Sequence, residues 1–275
     1  MRICVTGSSG FIGGHLVDLL KESHEVVPFD IREDERNILD EETLKEHIKD
    51  CDFVVHLAAL ASIARCWENP GLVYRNNVEG TSNVVEAAIK AGVKRVIFAS
   101  SCAVYQSTMN PYAASKAMAE GVLQTRANDI PSIAFRFLNV YGKNQNPSYG
   151  NVMPLFIEGI PKGKITIYGD GDQRRDFIHV SDICQLIKMS VEANYDPKFP
   201  RFIQMDLGTG QTYSVRELAY ILMGMMNKQA EIEFAPPRRE MRNACANTKL
   251  MTEVFKYEPK VSLIEGLQKL IKEGL

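Results

Sequence analysis

No stretch of this 275-residue chain approaches the roughly 20 apolar residues that a membrane-spanning helix needs. The longest uncharged run, Val96–Ser115, is broken up by Ser, Gln, Asn and Pro. No CxxC pair occurs among Cys4, Cys51, Cys66, Cys102, Cys184 and Cys245, so neither a zinc site nor a dithiol redox motif is expected. The thiols read as reduced and buried, as in a cytosolic protein. A surplus of charge is missing too: 32 Lys and Arg face 34 Asp and Glu, for a net charge of −2. A general nucleic-acid or anionic-membrane binder would be more basic, so any anionic ligand must be held by a local cluster. There is no repeat and no low-complexity tract. No apolar leader precedes the first strand-like run, and the expected location is the cytoplasm.

Hydrophobic residues at 45% and charged residues at 24% supply a large core, enough for one or two domains. The first half alternates strand and helix patterns. Strands are expected at Arg2–Thr6, Glu25–Phe29, Asp52–His56, Arg95–Ala99 and Pro131–Phe135. Helices are expected up to Leu20, around Glu41–Lys49, from Pro70 to Ala91, and from Pro111, where Asn110 suits the N-cap and Pro111 the first helical position. This alternation implies an α/β fold with a doubly wound parallel sheet. After Asn139 the texture changes, with Pro-rich breaks at 196–200 and 235–238. We therefore expect a nucleotide-binding domain over 1–142, rejoined by a helix within about 176–193. A smaller C-terminal substrate-binding lobe is expected over most of 143–275.

Two motifs carry chemistry. The first, Thr6-Gly7-Ser8-Ser9-Gly10-Phe11-Ile12-Gly13, follows a strand and opens a helix, the context of a Rossmann-type dinucleotide fingerprint. Gly7 suits the tight turn, Gly10 lets a pyrophosphate approach the backbone, and Gly13 lets helix and strand pack closely. The helix N-terminus adds N–H groups for phosphate. Asp30 ends the second strand twenty-three residues after Gly7. An acid there accepts from a ribose 2′-OH and repels a 2′-phosphate, favouring NAD over NADP, although nearby Arg32 could meet a 2′-phosphate.

The second motif is Tyr112-Ala113-Ala114-Ser115-Lys116, preceded by Ser100-Ser101 at a strand end. Helical i and i+4 positions share a face, placing Tyr112 beside Lys116. A neighbouring ammonium and a nicotinium charge both favour the phenolate, so the Tyr112 pKa is expected to fall until it can act as a base.

With these motifs the chain resembles the extended short-chain dehydrogenases/reductases, specifically nucleotide-sugar epimerases of the UDP-galactose 4-epimerase type. The resemblance spans nearly the whole chain. It rests on TGSSGFIGGHL, HLAALAS at His56–Ser62, NNVEGT at Asn76–Thr81, FASSCAVY at Phe98–Tyr105, PYAASK at Pro111–Lys116, FRFLNVYG at Phe135–Gly142 and YGDGDQRRDFIHVSD at Tyr168–Asp182.

The resemblance implies Ser101, Tyr112 and Lys116 as catalytic residues, with NAD as cofactor. It implies Gly7, Ser9, Gly10, Phe11, Ile12, Gly13, Asp30, Asn37, Ile38, Leu57, Ala58, Ala59 and Asn77 around that cofactor. For a UDP-sugar it implies Cys102, Asn139, Asn151, Val152, Tyr168, Arg175, Arg238, Glu240 and Ala244. Of these, Arg238 and Glu240 match an arginine–acid pair on the phosphate and uridine ribose, and Ala244 falls at the wall beside the sugar C2 substituent. No metal is implied. Relatives pair the helices matching Pro70–Ala91 and Pro111–Arg126, so a homodimer is expected.

The chain departs from the family's pattern in three places. Ten residues separate Ser101 from Tyr112, where many relatives have a longer loop. The stretch between Asp30 and Asn37 is short, and the usual Pro-Gly near Arg238-Arg239-Glu240 is absent, leaving open which arginine meets phosphate. A 4,6-dehydratase or decarboxylase of this family carries a carboxylate next to the catalytic hydroxyl, where this chain has Cys102 and Ala103. A reductase, and a non-catalytic NAD sensor on the same fold, remain as other readings.

Overall fold

Strands and helices alternate from the first residues. The strand-like runs become β1 (Arg2–Thr6), β2 (Glu25–Phe29), β3 (Phe53–His56), β4 (Arg95–Ser101) and β5 (Ser132–Phe137) of one parallel sheet. The structure, a computed structural model, describes residues 1–32, 36–193 and 199–274. Parts of the short stretch after Asp30 and of the break at 196–200 lie outside the described residues. The intervening helices are α1 (Phe11–Lys21), α2 (Glu41–Ile48), α3 (Ile63–Glu68), α4 (Pro70–Tyr74), α5 (Gly80–Lys90) and α6 (Pro111–Thr125). Asn110 caps α6 through its side chain, which accepts the Ala113 N–H at 2.8 Å.

The chain continues through β6 (Asn139–Tyr141), α7 (Val152–Gly159), β7 (Lys164–Tyr168), β8 (Arg174–Arg175), β9 (Phe177–His179) and α8 (Val180–Glu192). It ends with β10 (Phe202–Leu207), β11 (Tyr213–Ser214), α9 (Val215–Met226), β12 (Glu231–Ala235), β13 (Asn243–Ala244), α10 (Lys249–Phe255) and α11 (Leu263–Glu273). Helix α8 packs against α1 on the main sheet. Strand β10 pairs parallel with β5 and completes the sheet in the order β2-β1-β3-β4-β5-β10. Segment 202–207, within the stretch expected to form the second lobe, therefore belongs to the sheet.

The period-2 pattern of the strands divides the core. Ile3, Val5, Phe53, Val55, Ile97, Ile133 and Phe135 pack toward α1, α8 and α10. Cys4, Val54, Val96, Phe98 and Ala134 pack toward α2, α5 and α6. A third core under β7, α7, α9 and α11 holds the smaller lobe. Strand order reverses between β1 and β3, and a ligand crevice is expected beyond the carboxyl ends of the strands there.

The helix expected from Pro70 to Ala91 runs without a break to Lys90, and residues Arg75–Glu79 form a π-helical turn within it, between α4 and α5. Such wide turns commonly mark functional sites, and this one carries Asn77.

Candidate functional site

A cleft of about 820 Å³ opens beyond the strand ends, lined by both the sheet domain and the smaller lobe. At one end lies the glycine-rich turn. Gly7 sits at φ +74°, and a Cβ on Gly13 would fall 2.0 Å from the Gly7 carbonyl oxygen, so this turn tolerates no larger residue at either position. Helix α1 starts at Phe11 with no side-chain cap, leaving its first N–H groups for a ligand. The buried Ser8 and Ser9 hydroxyls have no hydrogen-bond partner among the described residues. Uncapped N–H groups, unpartnered hydroxyls and an unobstructed backbone fit a dinucleotide pyrophosphate.

Asp30, buried at the end of β2, accepts the Ser9 and Arg32 N–H groups at 3.1 and 3.0 Å on its two oxygens. Gly7, Gly10, Phe11, Ile12, Gly13, Asp30, Ile38, Leu57, Ala58 and Ala59 all line the cleft. Ser9 and Asn37 do not. Ser9 backs Asp30, and the Asn37 side-chain Oδ1 accepts its own loop's Leu39 N–H at 3.0 Å. Asn77 is buried behind the wall. Its side chain bonds both the N–H and the carbonyl of Leu60, at 2.8 and 3.0 Å, and donates to the Ser115 hydroxyl at 3.0 Å. The π turn thus fastens the loop after β3 to α6, while neighbouring Asn76 lines the cleft.

Ser101, Tyr112 and Lys116 meet at the cleft wall. The Ser101 oxygen accepts the Ala103 N–H at 3.2 Å, which leaves the hydroxyl proton to be donated. Lys116 is buried, donates to the Ala99 carbonyl at 2.7 Å and lies 4.7 Å from the Phe98 ring centroid.

Here the structure corrects a sequence expectation. Burial pushes the Tyr112 hydroxyl up to about 12, and a hydrogen bond from Ser101 only partly opposes it. Burial also pulls Lys116 down to about 7, with the Glu120 carboxylate resisting. Adjacency on a helix therefore does not by itself make a phenolate: desolvation outweighs a lysine committed to a backbone carbonyl.

Asn139, Asn151, Val152, Cys102, Arg175, Glu240 and Ala244 line the rest of the cleft. Of the arginine and the acid expected on the phosphate and the uridine ribose, Glu240 pairs with Arg175 at 3.1 Å. Arg238 instead stacks 3.6 Å from the Tyr168 ring centroid, and neither Arg238 nor Tyr168 lines the cleft.

A buried network behind the wall was not anticipated. Glu120, one helical turn after Lys116, accepts Ser100 at 2.5 Å, Arg136 at 2.9 and 2.6 Å, and Gln204 at 2.7 Å. It ties together the ends of β4, β5 and β10 behind Ser101. The i+4 spacing of Lys116 and Glu120 was its only trace in the sequence, since the other partners come from separate strands.

The sequence profile of the NAD dependent epimerase/dehydratase family matches residues 3–202. A UDP-glucose 4-epimerase of Mycolicibacterium smegmatis is 32% identical, with 99% of this chain and 98% of that protein aligned. A UDP-N-acetyl-alpha-D-glucosaminuronate decarboxylase of Bacillus cytotoxicus is 27% identical over 98% and 97% of the two chains. Among solved structures, MoeE5 in complex with UDP-glucuronic acid and NAD is similar at a TM-score of 0.89 and 30% identity, covering 99% of this chain and 98% of its own. No helix among the described residues is long and apolar enough to cross a membrane. From the glycine-rich turn through the Ser101–Tyr112–Lys116 wall to the end of the parallel sheet, the chain belongs to the NAD-dependent epimerase/dehydratase family of nucleotide-sugar enzymes.

Proposed function

We propose that this protein interconverts UDP-hexoses at C4, UDP-glucose with UDP-galactose in the first place, through a transient 4-keto sugar. One observation carries the choice among family chemistries. Among the described residues, the only carboxylates lining the cleft are Asp30 and Glu240, and both are engaged, with Ser9 and Arg32 and with Arg175. The positions after Ser101 hold Cys102 and Ala103, so no carboxylic acid stands ready to expel a C6 hydroxyl or assist loss of a carboxylate. Chemistry confined to C4 remains.

NAD, when bound, would accept and return the C4 hydride. Tyr112 takes the 4-OH proton, with Ser101 sharing the hydrogen bond. Lys116 lies in the same wall as the local cation that favours the phenolate. The backbone of Gly7, Gly10 and Gly13 and the N-terminus of α1 would hold the pyrophosphate, and Asp30 the adenosine ribose. Asn139, Asn151, Val152 and Arg175 would hold the UDP diphosphate, with Glu240 steadying the Arg175 guanidinium. The sugar can then turn over while its diphosphate stays anchored.

Ala244 is buried at the cleft edge among Leu138, Cys102 and Met241. The lack of a ring there leaves room for an N-acetyl group at C2, which extends the reading to UDP-N-acetylglucosamine and UDP-N-acetylgalactosamine. The homodimer reading is supported by exposed Leu72 on α4 and Met118 on α6, 48% and 54% accessible. Incubating the purified protein separately with UDP-glucose and UDP-N-acetylglucosamine, and resolving the products by chromatography, tests the assignment. The C4 epimers are expected without added reductant; a deoxy sugar or no product would refute it.

A further inference from the structure

Tyr105 is an exposed aromatic, 56% accessible, and does not line the cleft. Its side chain is nonetheless tied down. The hydroxyl donates to Asp206 Oδ1 at 2.7 Å, and the Arg136 guanidinium carbon lies 4.9 Å from the ring centroid. Strand register explains this reach. Ser100, Arg136 and Asp206 stand level on β4, β5 and β10, and level residues of paired parallel strands point to one face. From its place just past β4, Tyr105 lies across Arg136 of β5 and ends on Asp206 of β10. Arg136 is fixed in turn by its two bonds to Glu120. Burial and the bond to Asp206 both raise the Tyr105 phenol, which keeps it a donor.

The groups on either side of this contact belong to the site. Tyr105 sits in the 3-10 turn Cys102–Gln106, whose N-cap is Ser101. The Ser101 oxygen accepts the Ala103 N–H of that turn, and Cys102, Ala103 and Gln106 line the cleft. The turn therefore sets where the Ser101 hydroxyl points. On the other side, the second Asp206 oxygen accepts the Asn247 N–H at 3.0 Å, three residues beyond Ala244 of the cleft edge. One buried carboxylate thus joins the turn that holds Ser101 to the segment that carries Ala244. A bond from a hydroxyl to a carboxylate is among the stronger hydrogen bonds.

We propose that Tyr105 and Asp206 form a clasp that positions Ser101 for the reaction, both acting through the turn rather than on substrate or cofactor. The proposal rests on the C4 reading, in which Ser101 shares the hydrogen bond to the 4-OH, and adds two positioning residues to it. A reacting group displaced by about 1 Å can cost on the order of 10²-fold in rate. Because Tyr105 is exposed and not part of the core, removing its hydroxyl leaves the fold intact.

The test measures kcat and KM for UDP-galactose, NAD affinity, and amide hydrogen exchange over 102–106. It compares wild type, Tyr105→Phe, Asp206→Ala, Asp206→Asn, and Ser101→Ala with and without Tyr105→Phe. Tyr105→Phe should lower kcat by about 10–100-fold while KM and NAD affinity stay within a few-fold. It should speed exchange over 102–106 and leave α1 unchanged. Asp206→Ala should lose at least as much. Asp206→Asn should keep most of kcat, because its oxygen can accept the Asn247 N–H while its amide donates to the phenol oxygen. In the Ser101→Ala background Tyr105→Phe should lower kcat no further, since its effect passes through that hydroxyl. The same fall in that background, an unchanged kcat in Tyr105→Phe, unchanged exchange, or equal impairment of the two Asp206 variants overturns the proposal and leaves C4 epimerisation standing. Lower thermal stability with kcat unmoved makes the contact structural only and also overturns it. If wild type converts no UDP-hexose, the C4 reading fails and this proposal fails with it.

Discussion

Removing one oxygen tests the assignment of the base. Tyr112→Phe keeps the ring that packs at the cleft wall and deletes the hydroxyl. That hydroxyl sits at about 12 because burial disfavours its anion. At pH 8 such a group is ionised in only roughly one molecule in 10⁴. Bringing it from about 12 to about 8 is worth about 5 kcal/mol, at 1.36 kcal/mol per pH unit. Within the chain the hydrogen bond that Ser101 donates to the phenol oxygen works in that direction, while Lys116, brought down to about 7, is bonded to Ala99. With the group deleted, a positioned proton acceptor worth about 10²–10⁴-fold is lost, or about 2.7–5.4 kcal/mol of barrier. The assay is conversion of UDP-galactose to UDP-glucose, with NAD affinity measured alongside. Turnover should fall by that factor while NAD stays bound. A second readout is ultraviolet titration, taking wild type minus variant: the cofactor-free difference signal should titrate near 12 and move downward on adding NAD. Turnover within a few-fold of wild type would refute the role of Tyr112.

Other outcomes follow from single groups. Asp30→Ala removes the carboxylate held by Ser9 and Arg32, and equilibrium binding should show weaker NAD affinity and a narrowed preference over NADP; a wild type that prefers NADP contradicts the role of Asp30. Ala244→Tyr should abolish turnover of N-acetylated UDP-sugars while sparing most turnover of the plain hexoses, as read by chromatography; equal loss on both would move the C2 wall elsewhere. Met118→Glu, placing a charge on the exposed face of α6, should convert a dimer to a monomer by light scattering at micromolar concentration, and a monomeric wild type would remove the dimer.

Much of the sheet domain was legible because its signals are local. Short runs of apolar and β-branched residues mark the strands, buried on both faces of the parallel sheet, and Asn110-Pro111 fixes the start of α6 from within its own sequence. The π turn at Arg75–Glu79 was not legible: the helical pattern runs through it, and its cause lies in the tertiary bonds of Asn77 to Leu60 and Ser115. Strand β10 was hidden for a related reason, since its partner β5 lies some seventy residues earlier. At the site, the glycine turn, Asp30 and the Tyr112–Lys116 spacing pointed to residues that do line one cleft. The partners that side chains choose were not legible. Glu240 pairs with Arg175 and Lys116 donates to the Ala99 carbonyl, choices that depend on strand registers and on burial.

The central claim is that hydride leaves C4 and returns to the same carbon within one catalytic cycle, with nothing eliminated. UDP-glucose deuterated at C4 examines this directly, with products analysed by mass spectrometry and proton NMR. The account predicts UDP-galactose that keeps its deuterium at C4, with no net consumption of NAD and no deuterium washed into solvent. Loss of the label to water, or a product lighter by the mass of water, would contradict it.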